Sequence, residues 1–175
     1  AGKPHLVGLM PGQALAIFDR QGQQMKSPLY KLSDADFRME TERMSVDFKE
    51  RGFQLSGLVP ALYGPHQLKN TALVLKAVSI FRQNGLYVSK KSVFEGIKNT
   101  NWPGRFQVLA RPGHPTVVLD VAHNPGGVRA FVESFKLRFP DRLAFQVTGF
   151  VKGKMHQTMF DLLSEISSEY ALVPL

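Results

Sequence analysis

Residues 116–139 read "TVVLDVAHNPGGVRAFVESFKLRF", and the fold class follows from how this stretch is divided. The run Thr116–Asp120 is short, β-branched and apolar, as expected of a strand buried in a sheet. After the turn at Asn124-Pro125-Gly126, apolar residues recur at Val128, Phe131, Val132, Phe135 and Phe139. That spacing of i, i+3, i+4, i+7 and i+11 predicts an amphipathic helix. A strand that passes through a Gly/Pro turn into a helix is one unit of an α/β sheet.

Moving outward, the pattern repeats. "LAFQVTGF" (143–150) reads as a strand, "QTMFDLLSEISS" (157–168) as a helix and "YALVP" (170–174) as a further strand. Upstream, "RFQVLA" and "TVVLD" form two short strands around the turn "RPGHP". The alternation predicts a Rossmann-like, doubly wound domain with a mainly parallel sheet. "TNWPG" at about 100–104 ends a helical region in turn residues and sets a domain boundary, giving domains 1–101 and 102–175. In the first half, "PHLVGLM" and "SPLYKL" read as strands around a helix that stops near Gly22. Residues 33–45 are polar and expected to be irregular, and "VDFKERGFQLSG" reads as a hairpin turning at Glu50–Gly52. "GPHQLKNTALVLKAVSIFRQNG" predicts a long helix between Pro65 and Asn84-Gly85, apolar nearly all round and so buried. "SKKSVFEGIKN" predicts a second, amphipathic helix capped by Ser89 or Ser92. The chain begins almost on a strand, without Met, and stops on one, which suggests a piece of a longer protein.

The 175 residues are 43% hydrophobic, enough for a packed core, and no apolar run approaches the ~20 residues needed to span a bilayer. Zero cysteines exclude a disulfide framework and thiolate metal sites, and fit a cytoplasmic protein. A net charge of +8 and a pI near 9.9 raise the question of nucleic acid. Lys and Arg are scattered, however, with no basic tail, no basic helix stripe and no aromatic-basic interleaving, so the reading is no nucleic acid and no membrane partner. Small phosphorylated or polycarboxylate molecules, or an ordinary solvated surface, account for the charge instead.

Candidate site residues collect at the predicted strand ends. Asp120 closes "TVVLD", where open α/β sheets bind ligands; it can accept from a ribose or simply cap the turn ahead. His123 and Asn124 share that turn, above a helix N-terminus that favours anions. Arg105 opens "RFQVLA", where a guanidinium can fork a phosphate or make a surface ion pair. Asn70 is a polar residue early in an otherwise apolar helix, after His66 and Gln67, and pairs either with the preceding loop or with a purine edge. Lys154, after the strand ending near Thr148, lies in a Gly-flanked loop that can reach a phosphate. No G-x-x-x-x-G-K-[ST] loop, G-x-G-x-x-G turn or G-x-S-x-G elbow occurs, and the widely spaced His residues form no metal motif.

Taken in order, "GPHQLKNTALVLKA" (64–77), "WPGRFQVL" (102–109) and "VVLDVAHNPGGVRAF" (117–131) resemble three successive signatures of the folylpolyglutamate synthase/dihydrofolate synthase family of the Mur ligase superfamily. The resemblance spans essentially the whole chain. It implies the end of a central Mur-ligase-type ATP-binding domain in 1–101 and an incomplete C-terminal ligase domain in 102–175. The family's phosphate loop, its Mg2+ ligands and its modified lysine would precede residue 1. The resemblance further implies that Asn70 contacts the nucleotide, Arg105 its phosphates and Asp120 its ribose. His123 and Lys154 would be the catalytic candidates, with no metal ligand in this chain. Lys154 sits in Gly153-Lys154-Met155, where the family often has Asp-Lys-Asp, so the flanking carboxylates are lost. The implied reaction is ATP- and Mg2+-dependent ligation of L-glutamate to dihydropteroate or reduced folates by a monomer. The 175 residues alone would be inactive. A Mur-type peptidoglycan or cyanophycin ligase, or a non-catalytic nucleotide-binding module, are the alternatives.

Overall fold

The computed structural model describes residues 2–151, 153 and 155–174. The chain divides into two compact units, Ala1–Ala61 with Gln67–Thr100 and Leu62–His66 with Asn101–Leu175. No helix among the described residues is long and apolar enough to cross a membrane.

The first unit opens with β1 (His5–Val7), α1 (Gly12–Gln24) and β2 (Leu29–Lys31), and the two strands pair in parallel. α1 ends at Gln24, two residues past Gly22 and so near the expected stop. Gly22 is buried, and a Cβ there would lie 3.2 Å from the Ser27 carbonyl oxygen, so the glycine allows the following turn to pack closely. A capped 3-10 turn, Asp34–Asp36, precedes β3 (Phe37–Glu40), β4 (Ser45–Glu50) and β5 (Phe53–Leu58), which form one antiparallel sheet in that order. β3 falls inside the stretch expected to be irregular; its half-buried Phe37 and Met39 alternate with exposed Arg38 and Glu40, a pattern too short to stand out. The β4–β5 hairpin turns on Arg51 and Gly52, both with positive φ, as a type I′ turn requires.

α2 (Pro65–Gln83) and α3 (Lys90–Lys98) have the expected bounds, and Ser89 caps α3 by accepting from the Ser92 amide at 3.0 Å. Val46, Phe48, Leu55, Leu58, Ala72, Leu75 and Val93 form the core of this unit. α2 is not buried all round. Val74 and Phe81 are about half exposed, at 49% and 53%, whereas Lys76 is buried. Its ammonium donates to Glu50 at 2.7 Å and to Asp36 at 3.0 Å. Burial alone would lower the Lys76 pKa, but the hydrogen bonds and charges of Glu50 and Asp36 outweigh it and hold the group above the usual lysine value.

The second unit contains β6 (Gln107–Leu109) and β7 (Val117–Leu119), paired antiparallel across the "RPGHP" turn. There follow α4 (Pro125–Arg138), β8 (Ala144–Thr148), α5 (His156–Leu163) and β9 (Ser167–Leu172). β8 and β9 pair in parallel through the α5 crossover, over more residue pairs than β6 and β7, so the unit is α/β with parallel pairing predominant. The periodic α4 face does what its spacing predicts: Val128, Val132 and Phe135 are buried with Met159, Leu162, Leu163 and Ile166. β7 is not the buried strand expected, because Val117 and Leu119 are 46% and 44% exposed.

Candidate active site

The site residues of the second unit sit where β7 hands over to α4. Asn124 is the N-cap of α4, its side-chain oxygen accepting from the Gly127 amide at 2.9 Å, and Pro125 occupies the first helical position.

Asp120 is half-buried, and both of its carboxylate oxygens accept backbone bonds. Oδ1 accepts from the Ala122 amide and Oδ2 from the Phe106 amide, each at 2.8 Å. The first is the turn-capping role open to any Asp here; the second ties the β7–α4 turn to a bend 14 residues earlier. Arg105 lies in that bend and is exposed; it precedes β6 rather than opening the strand. Its neighbour Gly104 has φ +74°, and a Cβ there would come within 2.8 Å of a Val121 methyl, so the two loops approach too closely for any other residue. The Val121 amide donates to the Gly104 carbonyl at 2.9 Å. Together these bonds bring Arg105, Asp120 and His123 onto neighbouring loops.

His123 is exposed, with Nδ1 3.2 Å from the Val121 carbonyl oxygen. A carbonyl can only accept, so Nδ1 is the donor in that bond and Nε2 is the ring nitrogen left to meet a ligand. Asn70 belongs to the first unit, is exposed, and donates from Nδ2 to Gln67 Oε1 at 3.0 Å one turn away on α2. Gln67 is buried, so this pair orients the Asn70 amide. Lys154 falls outside the described residues.

One further residue joins the second unit's site. His66 precedes Asn70 in "GPHQLKN" and groups with Leu62–His66 in the second unit. Its Nδ1 is buried without a partner among the described residues. Burial, the largest influence, lowers the His66 pKa; Asp120 and Glu133 raise it and Arg105 lowers it further. The segment is fixed by Tyr63, whose ring stacks on Phe106 at 5.2 Å between centroids, and by Gly64, buried against Ser134. The signal for His66 in the sequence was its place beside the Asn, not any spacing to Arg105 or Asp120. Among the described residues no group of three His, Asp or Glu side chains is gathered to hold a metal ion.

Residues 104–173 match the family described as Mur ligase, glutamate ligase domain. This part of the chain is similar to the glutamate ligase domain of Mur ligases. The match begins at Gly104 and takes in the Arg105 bend, the Asp120 turn and α4, so the loops just described fall within the matched segment. Over 171 residues, 95% of the chain, the sequence is 28% identical to the dihydrofolate synthase/folylpolyglutamate synthase of Bacillus subtilis, of which it covers 39%. It is 31% identical over 158 residues to the human mitochondrial folylpolyglutamate synthase, covering 77% of this chain and 24% of that one. The fold is similar to a Mycobacterium tuberculosis folylpolyglutamate synthase complexed with ADP, with a TM-score of 0.80 at 20% identity, across 97% of this chain and 38% of that one. The chain therefore spans well under half the length of the curated relatives it matches.

Proposed function

We propose that the chain is part of an ATP-dependent carboxylate–amine ligase that adds L-glutamate to dihydropteroate or a reduced folate. The observation that carries this reading is the joined pair of loops in the matched segment, which offers exposed Arg105 and His123 beside the Asp120 carboxylate. The relatives' names support the folate branch over a peptidoglycan or cyanophycin ligase. Residues 1–101 would be the end of the central ATP-binding domain and 102–175 the ligase domain, in a monomeric cytoplasmic enzyme without nucleic-acid or membrane partners.

The groups present fit a nucleotide. Arg105 presents a fork of donors to phosphate, and each Asp120 oxygen keeps a lone pair beyond its one amide bond for a ribose hydroxyl. Asn70, whose amide is oriented by Gln67, is also taken as nucleotide-directed. When bound, Mg2+ would offset charge on the nucleotide phosphates; among the described residues no group of three His, Asp or Glu side chains is gathered to hold it. The reaction is amide ligation. A substrate carboxylate oxygen attacks the γ-phosphorus of ATP and ADP leaves, giving an acyl phosphate. The glutamate amine then attacks the acyl carbon, loses a proton, and expels phosphate. Arg105 offsets charge on the transferring phosphoryl group, and His123 Nε2 is a base for the amine proton. Lys154 is a second phosphate-directed cation.

ADP release by the full-length gene product tests this, with glutamate and, in turn, dihydropteroate, tetrahydrofolate and a UDP-muramoyl peptide. Turnover with a pterin is expected, and none from residues 1–175 alone. Turnover only with the UDP-sugar would move the chain to the peptidoglycan branch. A folded protein that binds ATP but turns over nothing would make it a binding module.

A further inference from the structure

The bend that presents Arg105 cannot hold itself. It is flanked by Gly104 at φ +74° and Phe106 at φ +45°, and the left-handed region is uphill for a phenylalanine. Free in solvent, such a segment would relax, and the Arg105 side chain would have no set direction. Three restraints from outside the bend oppose this. The Phe106 amide donates to Asp120 Oδ2 at 2.8 Å, the Val121 amide donates to the Gly104 carbonyl at 2.9 Å, and the Phe106 ring is buried between Tyr63 and Phe131. Only the first is charge-assisted, and it acts on the strained residue itself.

We propose that Asp120 is a positioning residue whose carboxylate clasps the Phe106 and Ala122 amides and so fixes the direction of Arg105. Each oxygen has its own amide, which sets the carboxylate plane and couples two loops through one side chain. This role is separate from any ribose contact and exists before a nucleotide arrives. It also explains why the acid is needed: an Asn at 120 has one acceptor oxygen, and its NH2 would face an N–H donor. The nucleotide arm of the test rests on the ATP-dependent reading above; the exchange arm does not.

The experiment compares wild type, D120N, R105A and the double variant of the full-length protein. Amide hydrogen exchange at Phe106 is followed without nucleotide, and affinities are measured for ATP and for its 2′-deoxy and 3′-deoxy forms. In D120N the Phe106 amide is expected to exchange about tenfold faster or more. Both deoxy forms, each already lacking one ribose hydroxyl, should still weaken in D120N, by about tenfold. The double variant should lose less than the sum of the two single losses, because the part of the D120N effect that runs through the clasp acts by way of Arg105. An unprotected Phe106 amide in wild type, or protection unchanged in D120N, would overturn the proposal. So would loss confined to ATP and fully additive with R105A, which is a ribose contact alone. If wild type bound no nucleotide, the ligase reading would fall while the exchange arm still decided the clasp.

Discussion

The first unit buries a paired cation, and the second presents its candidate cation to solvent. Lys76 lies inside, between Asp36 and Glu50, and its charge is spent on joining α2 to β4 and to the 3-10 turn. Arg105 lies outside, on a bend held from beneath by an acid and by the Phe106 ring. The second unit's interior is correspondingly apolar and aromatic, with ring contacts linking Tyr63, Phe106, Phe131, Phe135 and Phe139. The difference teaches that a charge serves structure when all its partners are protein, and is available to a ligand when the fold holds only the backbone around it.

The comparison breaks hardest at Lys76. Lys76→Ala strands two largely buried carboxylates and is expected to cost about 3–5 kcal/mol, read by urea denaturation. Replacing Lys76, Asp36 and Glu50 together with apolar residues should recover most of that loss. Because the Lys76 pKa is raised in the fold, its contribution is complete at neutral pH and is lost only as pH climbs through the folded value, above the ordinary 10.5. Sharpening the second unit's side, Gly64→Ala puts a Cβ against the Ser134 hydroxyl and within 2.9 Å of the His66 ring, at φ +121°. The expected loss is about 2–4 kcal/mol by thermal or urea melts, with Ser134→Ala recovering part of it. The smallest effect is at His66. Its lowered pKa means that stability is whole above the ordinary imidazole value of 6.5 and declines as pH falls through the folded value. A His66→Gln variant should flatten that acid limb of Tm against pH, and an unchanged limb would remove His66 from the account.

Much of the fold was legible because its signals are local. The α4 helix was readable from five apolar residues at helical spacing, and its start from Asn124-Pro125. The β4–β5 hairpin announced itself at Arg51-Gly52, where a glycine accepts positive φ. β3 was missed because Phe37 and Met39 are only two apolar residues in a polar stretch, paired to β4 from the sheet edge. The candidate residues Arg105, Asp120 and His123 were legible as types at strand ends. What Asp120 holds was not, since Phe106 is 14 residues away and its amide carries no mark in the sequence.

By itself, the sequence determined the α/β class, the helices at α2, α3 and α4, and the glutamate ligase signature that begins at Gly104. Periodicity, caps and turn residues act over a few positions, so they can be read in order along the chain. Only the tertiary structure decided that Lys76 turns inward and that β7 is half exposed. The same holds for the Asp120 carboxylate closing on the Phe106 amide. Each of these depends on a partner brought in from elsewhere in the chain. The burial and hydrogen bonds that decide the outcome exist only once that partner has arrived.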